Sequence, residues 1–366
     1  MVRKTTTSVL KVGGLLLVGF GAFSMGSSSA HAGLMFTNAS GADFESDNGL
    51  YGKISTGIVF FEAPRRDHIG ATYEECCDDD SVARNNVYKF EPDDEAPAIA
   101  FTLGRQMADS SLFGGENTRI EGTLQYFRAD DSQTTTRKTD ATFTDFLGID
   151  GSGYVDDVGM DTTTGSFSAD YNVIDVDVRI RSDIQNSNKK LTWTPSVGIA
   201  LTRVEEDHDV SFTTNGGEGS LLTINTIDES ADTVYVGPVA GIQFNYQTSP
   251  KWSFNGGVDL HMAYVDVDYK GSQLPGDPEI ASMSSSDDDS DFSLNTTISL
   301  GTTYDTGGSK LSFVAGWQYW SYAPVIEHPV ATIGNEYNDT TPTRPSHIGS
   351  DSMTMGFIGL SLTKNF

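Results

Sequence analysis

The chain has 366 residues and a formal net charge of −28, which argues against binding to nucleic acid or to another anionic partner. Its two cysteines are adjacent, at Cys76 and Cys77, so the sequence has no disulfide framework. After residue 32, no segment approaches the roughly 20 apolar residues that a membrane-spanning helix needs, which excludes a helical membrane protein.

The first 32 residues predict a secretory signal peptide. Basic residues precede an apolar run from Val12 to Phe23, and Ala30-His31-Ala32 then offers a small-x-small cleavage site. The mature chain is therefore expected to begin at Gly33, in an oxidising compartment where Cys76 and Cys77 form a local bridge, pair with another molecule or remain surface thiols.

Ten later segments alternate between an apolar and a polar face, each near the roughly 9–11 residues that cross a bilayer as a tilted strand. The clearest places Ile174, Val176 and Val178 on one face and Asp175 and Asp177 on the other. In order, the ten segments are 50–61, 97–106, 118–128, 166–181, 191–204, 233–246, 251–265, 292–304, 310–322 and 356–366.

Short turns and long polar links alternate between these segments. That order is typical of an outer-membrane barrel, with short periplasmic turns and long extracellular loops. We therefore predict an all-β fold: a transmembrane antiparallel up-and-down barrel of about ten strands, with 8 or 12 as the alternatives. Residues 33–49 are predicted to form a periplasmic segment, residues 50–366 the barrel, and the long links acidic extracellular loops. Asn215-Gly216-Gly217 is a hairpin signal, either for strands that extend beyond the membrane or for two further strands.

The strand pattern assigns two groups of charged residues as candidate sites. The first has the parity of the lumen face and comprises Lys53, Arg119, Glu121, Asp175, Asp177, Arg179, Arg181, Asp259, His261 and Asp305. We expect these side chains to form ion pairs, since an unpaired buried charge is costly. The second is expected to form an acidic mouth and comprises Glu205, Glu206, Asp207, Asp209, Asp287, Asp288, Asp289 and Asp291.

The acidic runs raise the question of a bound cation. Asp78-Asp79-Asp80 and Asp287-Asp288-Asp289-x-Asp291 carry the oxygen ligands that Ca²⁺ prefers, but neither has the spacing of an EF-hand. A solvated acidic surface is the favoured interpretation, and no other cofactor is expected.

The C-terminal segment ends in Phe366 and has apolar residues at alternate positions, and it resembles the terminal strand of bacterial outer-membrane barrels. Further phrases resemble the pore-forming family of the Legionella major outer-membrane protein: Asp170-Tyr171-Asn172-Val173-Ile174-Asp175, Pro195-Ser196-Val197-Gly198-Ile199, Val236-Gly237-Pro238-Val239-Ala240-Gly241 and Ala315-Gly316-Trp317-Gln318-Tyr319-Trp320. The resemblance covers residues 166–366 and implies a surface-exposed barrel that forms pores and sometimes serves as an adhesin. It supplies no catalytic residues.

Three functions follow from this sequence. The first is a porin-like channel for small solutes or ions, with a modest cation preference set by the acidic mouth. The second is a non-conducting surface scaffold or adhesin. The third is an omptin-like protease, because Asp175-x-Asp177 and Asp259-x-His261 share lumen parity, although both pairs lie too deep for a peptide to reach. The expected partners are outer-membrane lipid, small solutes or cations, and the barrel assembly machinery acting on the C-terminal strand.

Overall fold

The computed structural model describes residues 49–62, 66–74, 83–90, 93–107, 113–138, 143–145, 148–150, 162–186, 190–216, 220–276, 281–328 and 345–366. The predicted signal peptide, most of the periplasmic segment, Cys76, Cys77 and the Asp78-Asp79-Asp80 run lie outside these residues. Within them, no helix is long and apolar enough to cross a membrane.

The described residues form thirteen strands: β1 (Leu50–Glu62), β2 (Arg66–Glu74), β3 (Ala83–Phe90), β4 (Asp93–Gln106), β5 (Glu116–Lys138), β6 (Phe143–Asp145), β7 (Thr162–Gln185), β8 (Leu191–Gly216), β9 (Ser220–Ser249), β10 (Trp252–Pro275), β11 (Met283–Asp305), β12 (Ser309–Glu327) and β13 (His347–Asn365). Ten of them close a barrel in the order β1-β13-β12-β11-β10-β9-β8-β7-β5-β4, and every neighbouring pair is antiparallel. β3, β2 and β6 form a separate small sheet.

The outward face of the barrel carries a continuous apolar band. Along β10, outward positions run from Trp252 through Leu260 to Tyr264 and then change abruptly to charged residues at Asp266 and Asp268. Aromatic rings mark both edges of the band. Near the short turns, Trp252 packs on Tyr304 of β11 with ring centroids 4.9 Å apart. At the other edge, Tyr264 packs on Phe292 of β11 with ring centroids 5.8 Å apart. A closed sheet with such a band spans an outer membrane.

The ten predicted spanning segments are confirmed as the ten barrel strands. Their ends were misplaced, because β5 and β7 to β11 continue well beyond the membrane. The hairpin signal at Asn215 is part of this extension and adds no further strand to the barrel. The prediction was also wrong in treating residues 62–96 and 129–163 wholly as loops, since the small sheet of β2, β3 and β6 lies there.

The apolar residues change faces where the strands leave the membrane. In β7, Val176 and Ile174 point outward, whereas Val173 and Tyr171 point inward and are buried. Below this level the barrel follows membrane rules, with apolar residues outside and polar residues inside. Above it, the wall follows the rules of a water-soluble protein, with an apolar interior and a polar exterior.

The β12–β13 hairpin covers the extracellular end of the barrel. A register shift between Trp320 and Ala323 interrupts its pairing, and beyond this irregularity the hairpin reaches over the interior. His328, just after β12, lies 2.8 Å from the buried carboxylate of Glu229 on β9, three strands away along the wall. The Ser346 N–H, just before β13, donates to the Ile149 carbonyl oxygen at 2.7 Å. We call this part of the hairpin, residues 321–328 and 345–351, the lid.

Candidate functional site in the barrel interior

The predicted lumen residues all lie on the inward face of the membrane-spanning wall. Nine of the ten are buried: Lys53, Arg119, Glu121, Asp175, Asp177, Arg179, Arg181, Asp259 and His261. Asp305 is half-buried, because it lies at the end of β11 beside the turn to β12. Strand alternation alone was enough to place these residues on the inward face.

One charge network lies near the periplasmic end of the interior. The Arg119 guanidinium contacts the Glu121 and Asp183 carboxylates, each at 2.9 Å, and Arg181 contacts Glu121 at 2.6 Å. The Tyr51 hydroxyl also donates to Glu121. Asp183 is a member that the sequence analysis missed, because the predicted segment ended at residue 181. Its parity with Arg181 was the signal that should have extended the strand.

A second network lies deeper in the membrane-spanning part. Arg179 bonds Asp177 on its own strand and Asp259 of β10, the latter at 2.7 Å. The Thr202 hydroxyl of β8 donates to Asp175 at 2.6 Å. Two of the three carboxyl groups that an omptin-like mechanism would use, those of Asp177 and Asp259, therefore bind Arg179, inside a wall whose side chains are almost inaccessible to water. In this arrangement the Arg179 guanidinium lies between the Asp177 and Asp259 carboxylates.

Apolar side chains fill the interior above these networks. Phe127, Phe167 and Tyr171 line one side, and Tyr235 of β9 packs edge-on against Trp320 of β12 with ring centroids 4.5 Å apart. Trp320 and Tyr235 have no exposed surface. These residues lie within the predicted segments, and the sequence analysis missed the layer because it assigned one apolar, outward face to each whole segment, although the reversed alternation of Phe167, Ala169, Tyr171 and Val173 was visible in the sequence.

Two His–Glu contacts lie inside this apolar layer. His328 and the Tyr269 hydroxyl both bond Glu229, at 2.8 Å and 2.7 Å, which ties the lid to β9 and β10. His208 Nε2 lies 3.4 Å from Glu206, beside the rings of Phe167 and Tyr171. Neither contact includes a nucleophile or a third ligand, and the described residues contain no group of three metal-ligating side chains.

The predicted acidic mouth is part of the strand wall. Glu205, Asp207 and Asp209 point outward from β8, and Asp288 points outward from β11. Glu206 points inward instead and is buried. Asp287, Asp289 and Asp291 also have inward parity, since positions alternate along β11. Strand alternation therefore separates Asp288 from its acidic neighbours, and the solvated acidic surface favoured over a Ca²⁺ site stays a prediction from the sequence.

Register places several acidic residues opposite each other on the outer wall. Asp209 faces Asp228 of β9, and partial burial together with a hydrogen bond that the protonated carboxyl donates to this neighbour raises the pKa of the Asp209 carboxyl. Asp268 faces Asp288 in the same way. Glu205 likewise faces Asp232 of β9, and Arg203 offsets the repulsion in this pair by contacting Asp232 at 2.5 Å and Glu205 at 3.0 Å.

Comparisons with known proteins return only distant structural similarity. No protein-family model and no curated protein matches the chain. The chain is similar to the outer-membrane protease OmpT from Escherichia coli (TM-score 0.44, 11% identity, 89% of this chain and 99% of that one). It is also similar to the translocator domain of the autotransporter NalP from Neisseria meningitidis (TM-score 0.32, 11% identity, 98% of this chain and 96% of that one). A third similar structure is the monoaromatic hydrocarbon channel CymD (TM-score 0.32, 8% identity, 88% of this chain and 90% of that one). At these scores the likenesses carry no argument about activity, and the barrel is established by its own strands and exposed apolar band.

Proposed function

We propose that this protein is a surface barrel of the outer membrane that does not conduct and that acts through its extracellular wall. The observation that carries the proposal is the filling of the lumen. Inward side chains are buried at every level, from Lys53 near the periplasmic end, through Asp175 in the middle, to Trp320 beneath the lid. Paired charges occupy the lower part and apolar side chains the upper part, so the residues that the structure describes leave no continuous water-filled path.

Several features of the extracellular part support a role at the surface. The wall continues beyond the membrane in β5 and β7 to β11, which places an extended, ordered surface outside the cell. Its outward positions are polar, and those that carry a charge are mostly acidic, as in Asp207, Asp268 and Asp288. We infer that the barrel presents this wall as a scaffold or adhesin, and that it has no enzymatic activity.

The resemblance to the Legionella family fits this role in part. The quoted phrases lie in β7, β8, β9 and β12, all of which are barrel strands. We propose that the shared features are those of a surface-exposed barrel, and that the pore-forming property of that family does not extend to this chain. We expect Phe366 and the rest of β13 to be recognised by the barrel assembly machinery.

Recording from planar bilayers tests the proposal. Protein is first reconstituted into liposomes, and protection of the membrane-spanning strands from added protease verifies insertion. We expect no steady conductance, because the paired charges and the packed rings block the lumen. A steady conductance would overturn the proposal and favour a channel. In that case, a cation preference that fades in concentrated salt would assign selectivity to the acidic wall, because surface charge is screened over about 3 Å at 1 M.

A further inference from the structure

The edge of β11 above the membrane has no backbone partner among the described residues. β11 pairs with β12 only from Asn295, opposite Trp320, to Asp305, opposite Lys310. Among the described residues, its continuation from Ser284 to Leu294 pairs with β10 on one side alone. The missing neighbour is explained by the lid, which turns over the interior instead of continuing alongside β11.

The β11 side chains that contact the lid lie on the inward face of the strand. The Asp287 carboxylate accepts the Ile348 N–H at 2.9 Å, and the Asp289 carboxylate accepts the Tyr322 hydroxyl at 2.9 Å. The Ser285 hydroxyl donates to the Ser346 carbonyl oxygen at 2.8 Å. All three β11 residues have inward parity, so the lid lies on the inward side of β11. The lateral edge of β11 is therefore left facing solvent.

Side chains, not a neighbouring strand, bond the two N–H groups nearest the point where pairing ends. The Leu294 N–H donates to the Ser321 hydroxyl at 2.7 Å, and the Phe292 N–H donates to the adjacent Asp291 carboxylate at 2.7 Å. Backbone groups of alternate residues point to the same side of an antiparallel strand. The N–H and C=O groups of Ser286, Asp288 and Ser290 therefore point away from β10, and all three residues are exposed.

An exposed row of backbone groups is a template for pairing with another extended chain. Charge selects the chain that fits. On the outward side, Asp288 lies directly opposite Asp268 of β10, and Lys270 of the same strand lies opposite Ser286. Carboxylates opposite each other are unfavourable, and a Lys or Arg side chain from an added strand would relieve that repulsion. The same charges would repel an acidic strand, including the edge of a second copy.

We propose that the outer edge of β11, at Ser286, Asp288 and Ser290, binds an extended peptide segment with Lys or Arg at alternate positions. The added strand would form backbone hydrogen bonds with these residues and direct its basic side chains over Asp288 and Asp268. This inference rests on the proposed surface role and gives that role a ligand class.

A labelled peptide of about ten residues that alternates Thr and Lys tests the proposal with the folded full-length protein in detergent micelles. Ser286→Pro removes the edge-directed N–H and leaves the bonds to β10 intact, since an edge strand tolerates proline on its open side. Ser286→Ala is the matched control because it removes the hydroxyl and keeps the N–H. Fluorescence anisotropy should show saturable binding that Ser286→Pro weakens about tenfold and Ser286→Ala changes less than about twofold.

A second measurement does not depend on how the variants fold. The same peptide with alternate backbone amides methylated keeps every charge and cannot pair as a strand, so it should bind the unaltered protein at least about tenfold more weakly. Equal binding of both peptides would reduce the interaction to charge attraction and overturn the proposal, as would no binding at all. A bilayer recording does not involve this edge, so failure here leaves the non-conducting role intact.

Discussion

Arg179 is the buried cation in the centre of the membrane-spanning interior. It bonds Asp177 and Asp259 and is 1% exposed. Arg179→Ala leaves two carboxylates buried without their cation, and breaking a buried pair in this way costs about 3–5 kcal/mol. We expect that loss in the free energy of unfolding, measured by urea titration in detergent micelles with tryptophan fluorescence.

The matched control for this change is Arg128→Ala. Arg128 contacts Asp170 at 2.8 Å on the exposed wall above the membrane, where an ion pair contributes about 0–1 kcal/mol. Equal losses in the two variants would contradict the assignment of Arg179 to a water-excluded interior.

The facing carboxyls of Asp209 and Asp228 make the outer wall sensitive to pH. Because the pKa of Asp209 is raised in the folded protein, the folded state holds a proton more tightly than the unfolded chain does. This contribution to stability is fully present below the unfolded pKa of about 3.9 and is lost as pH rises through the folded value. Asp209→Asn removes the repulsion and should raise stability at pH 7 by about 0.5 kcal/mol or less.

Urea titrations of both proteins at pH 4 and pH 7 measure the effect. The difference between Asp209→Asn and the unaltered chain should shrink at the lower pH. A difference that grows as pH falls would show that the folded state does not favour the protonated carboxyl.

At the scale of the strand, the outward residues of β10 show where the membrane begins and ends. Leu260 and Asp268 both point outward, one within the apolar band and one above it. Leu260→Arg places a cation in lipid, which costs a barrel about 2–4 kcal/mol near the midplane, so assembly should fall. Asp268→Arg places the same charge in water among the carboxylates of Asp232 and Asp288, so assembly should be unchanged.

The fraction of each variant that reaches the heat-modifiable folded form in outer-membrane preparations measures assembly. Both variants carry the same residue on the same face of one strand, so only depth differs. Impaired assembly of Asp268→Arg alone, or of both variants equally, would be inconsistent with the position of the band.

Strand alternation predicted the part of each strand that meets lipid, because outward residues there must be apolar and inward residues need not be. It therefore located the ten spanning segments and the inward parity of residues such as Asp175 and Arg179. It did not reveal which charges form ion pairs. Asp183 of β7 pairs with Arg119 of the neighbouring strand β5, and such pairing depends on the register between the strands. The wall above the membrane was missed because its apolar residues face the other way, and a polar exterior was interpreted as a loop.

At the scale of the whole molecule, two differently filled compartments lie on one axis. The lower compartment is closed by charge pairs such as Arg119 with Glu121, and the upper one by rings such as Tyr235 and Trp320. The lid covers the upper compartment and is tied to the far wall at Glu229. Removing one blocking side chain would therefore leave a second layer intact, which is the molecular reason to expect no conductance from point variants of either layer.

The abrupt change from Tyr264 to Asp266 also sets how the protein fits the bilayer around it. From Trp252 to Tyr264 the strand rises about 40 Å, and a tilt of about 45° converts this to roughly 28 Å of hydrocarbon. Sinking by one residue pair would bring Asp266 into lipid and move the ring of Trp252 into the periplasm, whereas rising would draw the charged turn at Lys251 into lipid. The rigid wall cannot tilt individual strands to compensate, so a thicker membrane must thin locally around the barrel. The protein thereby imposes its own hydrophobic thickness on neighbouring lipids, and that thickness suits the bacterial outer membrane, which is thinner than average.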